Sequence, residues 1–225
     1  MKRTATLLNI ILAATLCATA LAAQERIDTP QDFSVFVHGY YLSPRPNLVA
    51  SAIEHYGSTY AANKSSLPPM IAFFNRIFSD NPGSRAEWKK VIDRQAPELR
   101  DQLLSALGTG AADFLAGKKI SPSLNDMHWG AYFASGEEKY LEKLLRVTKH
   151  GAERKDLNLF LTGFSAKWSL CSNARQHEKV LKYLLKEQNK QEYRDTVSEI
   201  LNTEPKVMRK KAIDVISAQK AKGVW

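Results

Sequence analysis

The stretch Trp129-Gly130-Ala131-Tyr132-Phe133-Ala134-Ser135-Gly136-Glu137-Glu138-Lys139-Tyr140-Leu141-Glu142-Lys143-Leu144-Leu145 carries the pattern that decides the fold. Trp129, Tyr132 and Phe133 share one face at the period of an α-helix. Ser135-Gly136 breaks that helix. Glu137 and Glu138 then begin a second one, at the end where the helix dipole favours negative charge. Tyr140, Leu141, Leu144 and Leu145 form its inner face. So short a break makes the two helices antiparallel neighbours. Upstream, Ser123-Leu124-Asn125-Asp126 offers capping side chains for the first of them.

The same grammar continues downstream. Lys149 and His150 suit a last helical turn, and Gly151 a stop. Asp156 caps a helix striped by Leu157, Phe160, Leu161, Phe164 and Trp168. Val180, Leu181, Leu184 and Leu185 mark the next, and Tyr193, Val197, Ile200 and Leu201 another. A last helix opens at Pro205 and carries Met208, Ala212, Val215 and Ile216. Trp168 follows Trp129 by about 39 positions, a spacing within the range of helix-pair repeats. In both places a tryptophan helix is followed by a polar break and a helix ending in Leu-Leu. Both tryptophans are therefore expected as buried anchors between stacked pairs.

Upstream, Thr29-Pro30-Gln31-Asp32 is a helix start, followed by Phe33, Phe36, Val37, Tyr40 and Tyr41 on one face. Pro44 and Pro46 end it. Asn47 can cap a helix striped by Val49, Ala52, Ile53, Tyr56 and Tyr60. Pro68 and Pro69 open a third, with Met70, Ile71, Phe74, Ile77 and Phe78. After the turn Asn81-Pro82-Gly83, Ser84 and Glu87 form a capping box ahead of Trp88, Val91 and Ile92. Pro97 opens a helix through Leu99, Leu103, Leu104 and Leu107, stopped by Gly108 and Gly110. The stretch from Ala111 to Lys119 is weakly patterned and ends at Ser121-Pro122. No alternating run argues a sheet. The expectation is an all-α fold of about nine or ten helices in antiparallel pairs, a short α-solenoid-like array. Residues 24–225 read as a single helical domain, since no low-complexity linker divides them.

Residues 1–23 read differently. Lys2 and Arg3 precede an apolar run from Ala5 to Leu16, and small residues follow at Ala18, Ala20, Ala22 and Ala23. Basic, apolar and small in that order is a cleavable export signal, and the run is too short for a membrane span. Cleavage fits before Ala23 or before Gln24. Cys17 is preceded by Leu16, where a lipoprotein box requires a small residue. The expected destination is the periplasm or the medium. Only Cys171 then remains, so no intramolecular disulfide staples the fold. The net charge is +9 over the whole chain. That excess suits acidic partners, such as an anionic membrane surface or an acidic protein, and also fits a solvated lysine-rich surface. Nucleic acid is not an expected partner of an exported chain.

Trp129-Gly130-Ala131-Tyr132-Phe133-Ala134-Ser135-Gly136, with Tyr140-Leu141, Lys167-Trp168-Ser169-Leu170, Gly39-Tyr40-Tyr41 and Pro44-Arg45-Pro46, resembles uncharacterised exported all-helical proteins of Gram-negative bacteria. The resemblance spans most of the chain after the signal. It implies a fold and an address, and no reaction. A weaker similarity links the helix pairs to tetratricopeptide-type repeats.

Motifs for catalysis are scarce. His38, His55, His128, His150 and His177 show no metal-ligand spacing, which leaves them as surface or boundary residues. No cofactor fingerprint occurs; Gly108-Thr109-Gly110 lacks both the third glycine and a preceding strand. Gly163-Phe164-Ser165 lies within a helical pattern and makes no nucleophile elbow. Lys167 and Arg175 could lower the pKa of Cys171, though burial as a small apolar residue accounts for it as well. Glu54 and Glu87 stand beside aromatic residues, a setting that can raise a carboxyl pKa. Tyr40, Tyr41 and Arg45, in a corner fixed by prolines, have the composition of a binding edge. At helical spacing the same tyrosines also suit a core.

The functional expectation is an exported, non-enzymatic helical module that binds a protein partner in the cell envelope, as a toxin-immunity or envelope-accessory protein does. The alternative is a peptidoglycan hydrolase working through a single glutamate.

Overall fold

The computed structural model describes residues 26–59 and 64–225. The proposed signal, Cys17 and Tyr60 lie outside the described residues. Among the described residues the chain is all-helical, with twelve α-helices and no strand. In chain order they are α1 (Pro30–Gly39), α2 (Val49–Thr59), α3 (Leu67–Asp80), α4 (Arg85–Ile92), α5 (Pro97–Gly108) and α6 (Ala111–Leu115). The second half comprises α7 (Pro122–Ser135), α8 (Glu138–Val147), α9 (Leu157–Ala174), α10 (Glu178–Glu187), α11 (Arg194–Asn202) and α12 (Pro205–Ala221). None of the helices described is long and apolar enough to cross a membrane.

Several ends follow from local chemistry. Thr29 caps α1 by accepting from the Asp32 N–H, and Asp156 caps α9 by accepting from that of Leu159. The cap of α7 is Ser121, which accepts from the Leu124 N–H with Pro122 in the first turn. That helix therefore starts ahead of the Ser123-to-Asp126 cap expected from the sequence. Ser84 makes no side-chain cap bond, because Pro82–Ser84 is already a 3₁₀ turn running into α4. Asn47 is likewise held in the 3₁₀ turn Pro46–Leu48. Past Val147 the chain tightens into a 3₁₀ segment, Thr148–Ala152, that takes in Gly151.

The middle of the molecule is the crossing of α3 and α7, the most extensive helix contact present. Phe73, Phe74, Ile77 and Phe78 on α3 are fully buried, and Trp129, Tyr132 and Phe133 on α7 are nearly so. Gly130 makes the approach possible, since a Cβ there would run into the Pro69 carbonyl oxygen and press on the Phe73 backbone nitrogen. Sequence-adjacent helices also pack, as in α7 with α8 and α9 with α10. The central pair, however, joins elements far apart in the chain, so the helices form a bundle around α3 and α7 rather than stacking only on their neighbours. Helix α1 leans on α2 and α7, while α4 and α5 close the side of α2 and α3. Helix α9 gathers α7, α8 and the last three helices around it. The main apolar core draws residues from Ile27 to Met208, and a small satellite of Ala72, Leu124 and Met127 lies apart from it.

Helix α9 overturns one expectation. Trp129 is buried at 6% exposure, but Trp168 is 40% exposed. The buried face of α9 carries Phe160, as its stripe predicts, and Leu170, together with the smaller Thr162, Gly163, Ala166, Cys171 and Ala174. Gly163 lies so close to His150 and Gly151 that a Cβ would strike their backbone. That close approach turns α9 until Leu161 and Trp168 face out. The two tryptophans are thus not equivalent, and the repeat alignment resting on them loses its anchor.

Candidate functional site

Tyr40 and Tyr41 are core residues, 3% and 7% exposed. The Tyr40 ring meets Phe36 and Phe73 edge-on, at centroid distances of 5.3 Å and 5.6 Å. Its hydroxyl is buried without a hydrogen-bond partner, and burial, aided by the Asp80 charge, pushes its pKa up to about 12. Tyr41 packs on Tyr132, and its hydroxyl lies 3.2 Å from His177 Nδ1. Arg45 sits at the edge, its guanidinium 6.0 Å from the centre of the Phe36 ring. The tyrosines tie α1 to α3, α7 and the α9–α10 turn; of the three residues only Arg45 keeps access to solvent.

The carboxylates of the hydrolase alternative line neither of two concavities beside α8 and lie at the surface. Glu54 accepts from Arg94 at 2.7 Å and from Arg26 at 3.4 Å, and so bridges segments at the surface. Glu87 is exposed on the first turn of α4. The Cys171 thiol is pushed up by burial, which outweighs the neighbouring Arg175. It therefore stays a protonated thiol, donating to the Thr203 carbonyl at 3.0 Å. Lys167 is committed to Glu199 at 2.8 Å. No group of three or more His, Cys, Asp or Glu side chains among the described residues could hold a metal ion.

A groove of about 570 Å³ opens between α6, the loop after it, α7 and α8. That size lies in the range of small-ligand sites. Its apolar wall comes from Leu115, Ile120, Leu124 and Val147, with the ring of Tyr140. The amphipathic pattern of α8 supplies the opposite character. With Tyr140, Leu141, Leu144 and Leu145 buried, Lys139, Lys143 and Arg146 fall on one stripe at spacings of four and three, and all three line the groove. Lys118 joins them from the loop, its ammonium 5.3 Å from the Phe114 ring centre. No carboxylate lines the groove.

Two of the four cations have acidic neighbours outside the groove. Lys139 pairs with Glu137 at 2.5 Å, and Arg146 pairs with Glu142 at 2.9 Å. Glu137 is itself held by Arg76 of α3 at 2.8 Å, which fixes the start of α8 against the central crossing. Lys118 and Lys143 make no ion pair with a described residue. His128, also in the wall, has its Nδ1 buried without a hydrogen-bond partner. Burial and the Lys143 charge push its pKa down to about 4, so it is neutral near pH 7. Asn125 is spent on structure, donating to the Thr162 carbonyl and to Ser165 Oγ at 2.7 Å and 2.9 Å.

No residue of this groove reads as a binding residue in the sequence alone, where His128 lacks metal-ligand spacing and stands as a surface or boundary residue. The signal was present in the spacing of Lys139, Lys143 and Arg146, but such a stripe ordinarily marks a solvated helix face. What turns it into a wall is α6, the segment whose pattern is weakest. No family model, no curated protein and no solved structure matches this chain.

Proposed function

We propose that this protein is an exported, non-catalytic helical binding module of the cell envelope, and that the α6–α7–α8 groove receives an anionic partner group with apolar surface. One observation carries the reading: an apolar wall faced by Lys118, Lys139, Lys143 and Arg146 in a concavity lined by no carboxylate. Lys118 and Lys143 carry charges that no ion pair with a described residue offsets, and an anion in the groove relieves their repulsion. An acidic, apolar stretch of an envelope protein carries this chemistry, and so does a small anionic amphiphile. The basic, apolar and small order of residues 1–23 supports the address, as does the resemblance to exported helical proteins. The hydrolase alternative gains no support from Glu54, held between two arginines, or from Glu87, exposed to solvent.

The test uses 8-anilinonaphthalene-1-sulfonate, an apolar anion whose fluorescence rises out of water. A saturable rise is expected with the purified protein, and its loss in the double variant Lys139→Glu, Lys143→Glu. Both lysines are exposed, so the urea midpoint should stay where it is. No saturable rise, or a rise indifferent to the two reversals, would overturn the reading.

A further inference from the structure

Resting on the reading of the groove as the partner site, we propose that its ligand is a single-chain alkyl carboxylate of the fatty-acid class. The head lies at Lys143 and the chain runs along Leu115, Ile120, Leu124 and Val147.

Hydrogen-bond inventory separates this ligand from a peptide. Lysine and arginine donate and cannot accept. The charged side chains of the groove's rim therefore offer donors only, and with the Asn125 amide hydrogens used within the protein its Oδ1 is the one side-chain amide acceptor in the lining. A peptide brings an N–H at nearly every residue, each needing an acceptor once water is gone. A carboxylate brings acceptors alone, and its chain brings no polar atom at all. The donor-rich, acceptor-poor rim thus matches the head, and the apolar wall matches the chain.

Charge placement points the same way. The cations of α8 stand on one stripe, and of these Lys143 has no acidic neighbour to satisfy it. Its charge is felt by His128, so the two line adjoining parts of the wall. His128 is neutral there, so it adds no second charge beside the ammonium. One unpaired cation of α8 suits a single carboxylate head. The remaining cations at the rim raise the local concentration of anions and make capture sensitive to salt.

The measurement is calorimetric titration of the purified protein with octanoate, decanoate and dodecanoate, each below its micelle concentration and at one ionic strength. Affinity is expected to rise about fourfold for each added methylene, the factor for moving that group out of water. Lys143→Met should weaken every member of the series at least about tenfold, the loss of one charge-assisted bond, and keep the per-methylene factor. Ile120→Ser, in the loop, should instead flatten the dependence on chain length. Dodecyl maltoside, with the same chain and no charge, should bind far more weakly than dodecanoate.

Binding with no dependence on chain length would overturn the proposal, as would binding untouched by Lys143→Met. If the naphthalene sulfonate occupies the groove but dodecanoate does not displace it, the alkyl carboxylate is wrong and the binding module stands. Displacement by an acidic leucine-rich peptide and not by dodecanoate would assign the groove to a protein segment. If neither the sulfonate nor dodecanoate binds, both readings fall together.

Discussion

Replacing Gly130 by alanine should destabilise the protein although it improves a helix. Within a helix, alanine is better than glycine by about 1 kcal/mol. Gly39, near the end of α1, shows what that gain looks like when nothing opposes it, for a Cβ there would meet no atom within 4 Å. At Gly130 the added carbon would overlap the Pro69 carbonyl oxygen and lie 3.1 Å from the Phe73 nitrogen. Both are backbone atoms, so no side chain can rotate out of the way. Helices α3 and α7 must then move apart by more than about 1 Å, in an interior packed as tightly as a crystal. Fully buried Phe73 and Phe74 and nearly buried Trp129 and Tyr132 would lose contact together. Overpacking of this kind costs about 1–3 kcal/mol, and the upper end, about 3 kcal/mol, applies here because both atoms struck are backbone. After the propensity gain, the expected loss is about 2 kcal/mol, and Gly130→Ala should lie about 3 kcal/mol below Gly39→Ala. Urea unfolding of both variants beside the wild type measures it; with slopes of about 1–3 kcal/mol per molar, the midpoints should differ by about 1 M or more. A Gly130→Ala protein as stable as Gly39→Ala would refute the reasoning, because the two backbones could not then be in contact at that residue.

Two further outcomes follow from the same geometry. The pKa of His128 is lowered to about 4 in the fold from an ordinary 6.5. Between those values the unfolded chain binds the extra proton, so stability is full above pH 6.5 and declines as the pH falls toward 4. At about 1.4 kcal/mol per pH unit, the decline from this residue reaches at most about 3 kcal/mol; His128→Gln should remove that part, and equal urea midpoint shifts between pH 7 and pH 4.5 in both proteins would sink the claim. Trp129→Ala should cost about 3–5 kcal/mol, as truncation of a buried tryptophan does. Trp168→Ala should cost under about 1.5 kcal/mol, since that ring is 40% exposed; the loss of an acrylamide-quenchable emission component in Trp168→Phe identifies the exposed ring, and its persistence would contradict the assignment.

What the sequence determined by itself is the class of fold and much of its local punctuation. Apolar residues at the helical period leave a chain without strands little choice. Thr29 and Asp156 cap where short-range chemistry places them, because a cap involves only the next few residues. The stripe Tyr140, Leu141, Leu144 and Leu145 is buried as its spacing requires. Tertiary structure decided which of several apolar faces turns inward. In α9 Leu161 and Trp168 turn outward while Phe160 and Leu170 stay buried, because the approach of the His150–Gly151 backbone to the inner face tolerates nothing bulkier than glycine at Gly163. A one-dimensional pattern records that a residue is apolar, and it does not record how close another backbone will come. The groove has the same origin. Lys139, Lys143 and Arg146 are legible in the sequence as a stripe, but their shared cavity exists only because α6, with no buried residue of its own, comes to rest beside α7 and α8. Proximity between segments distant along the chain is set by the α3–α7 crossing, and no local rule of spacing contains it.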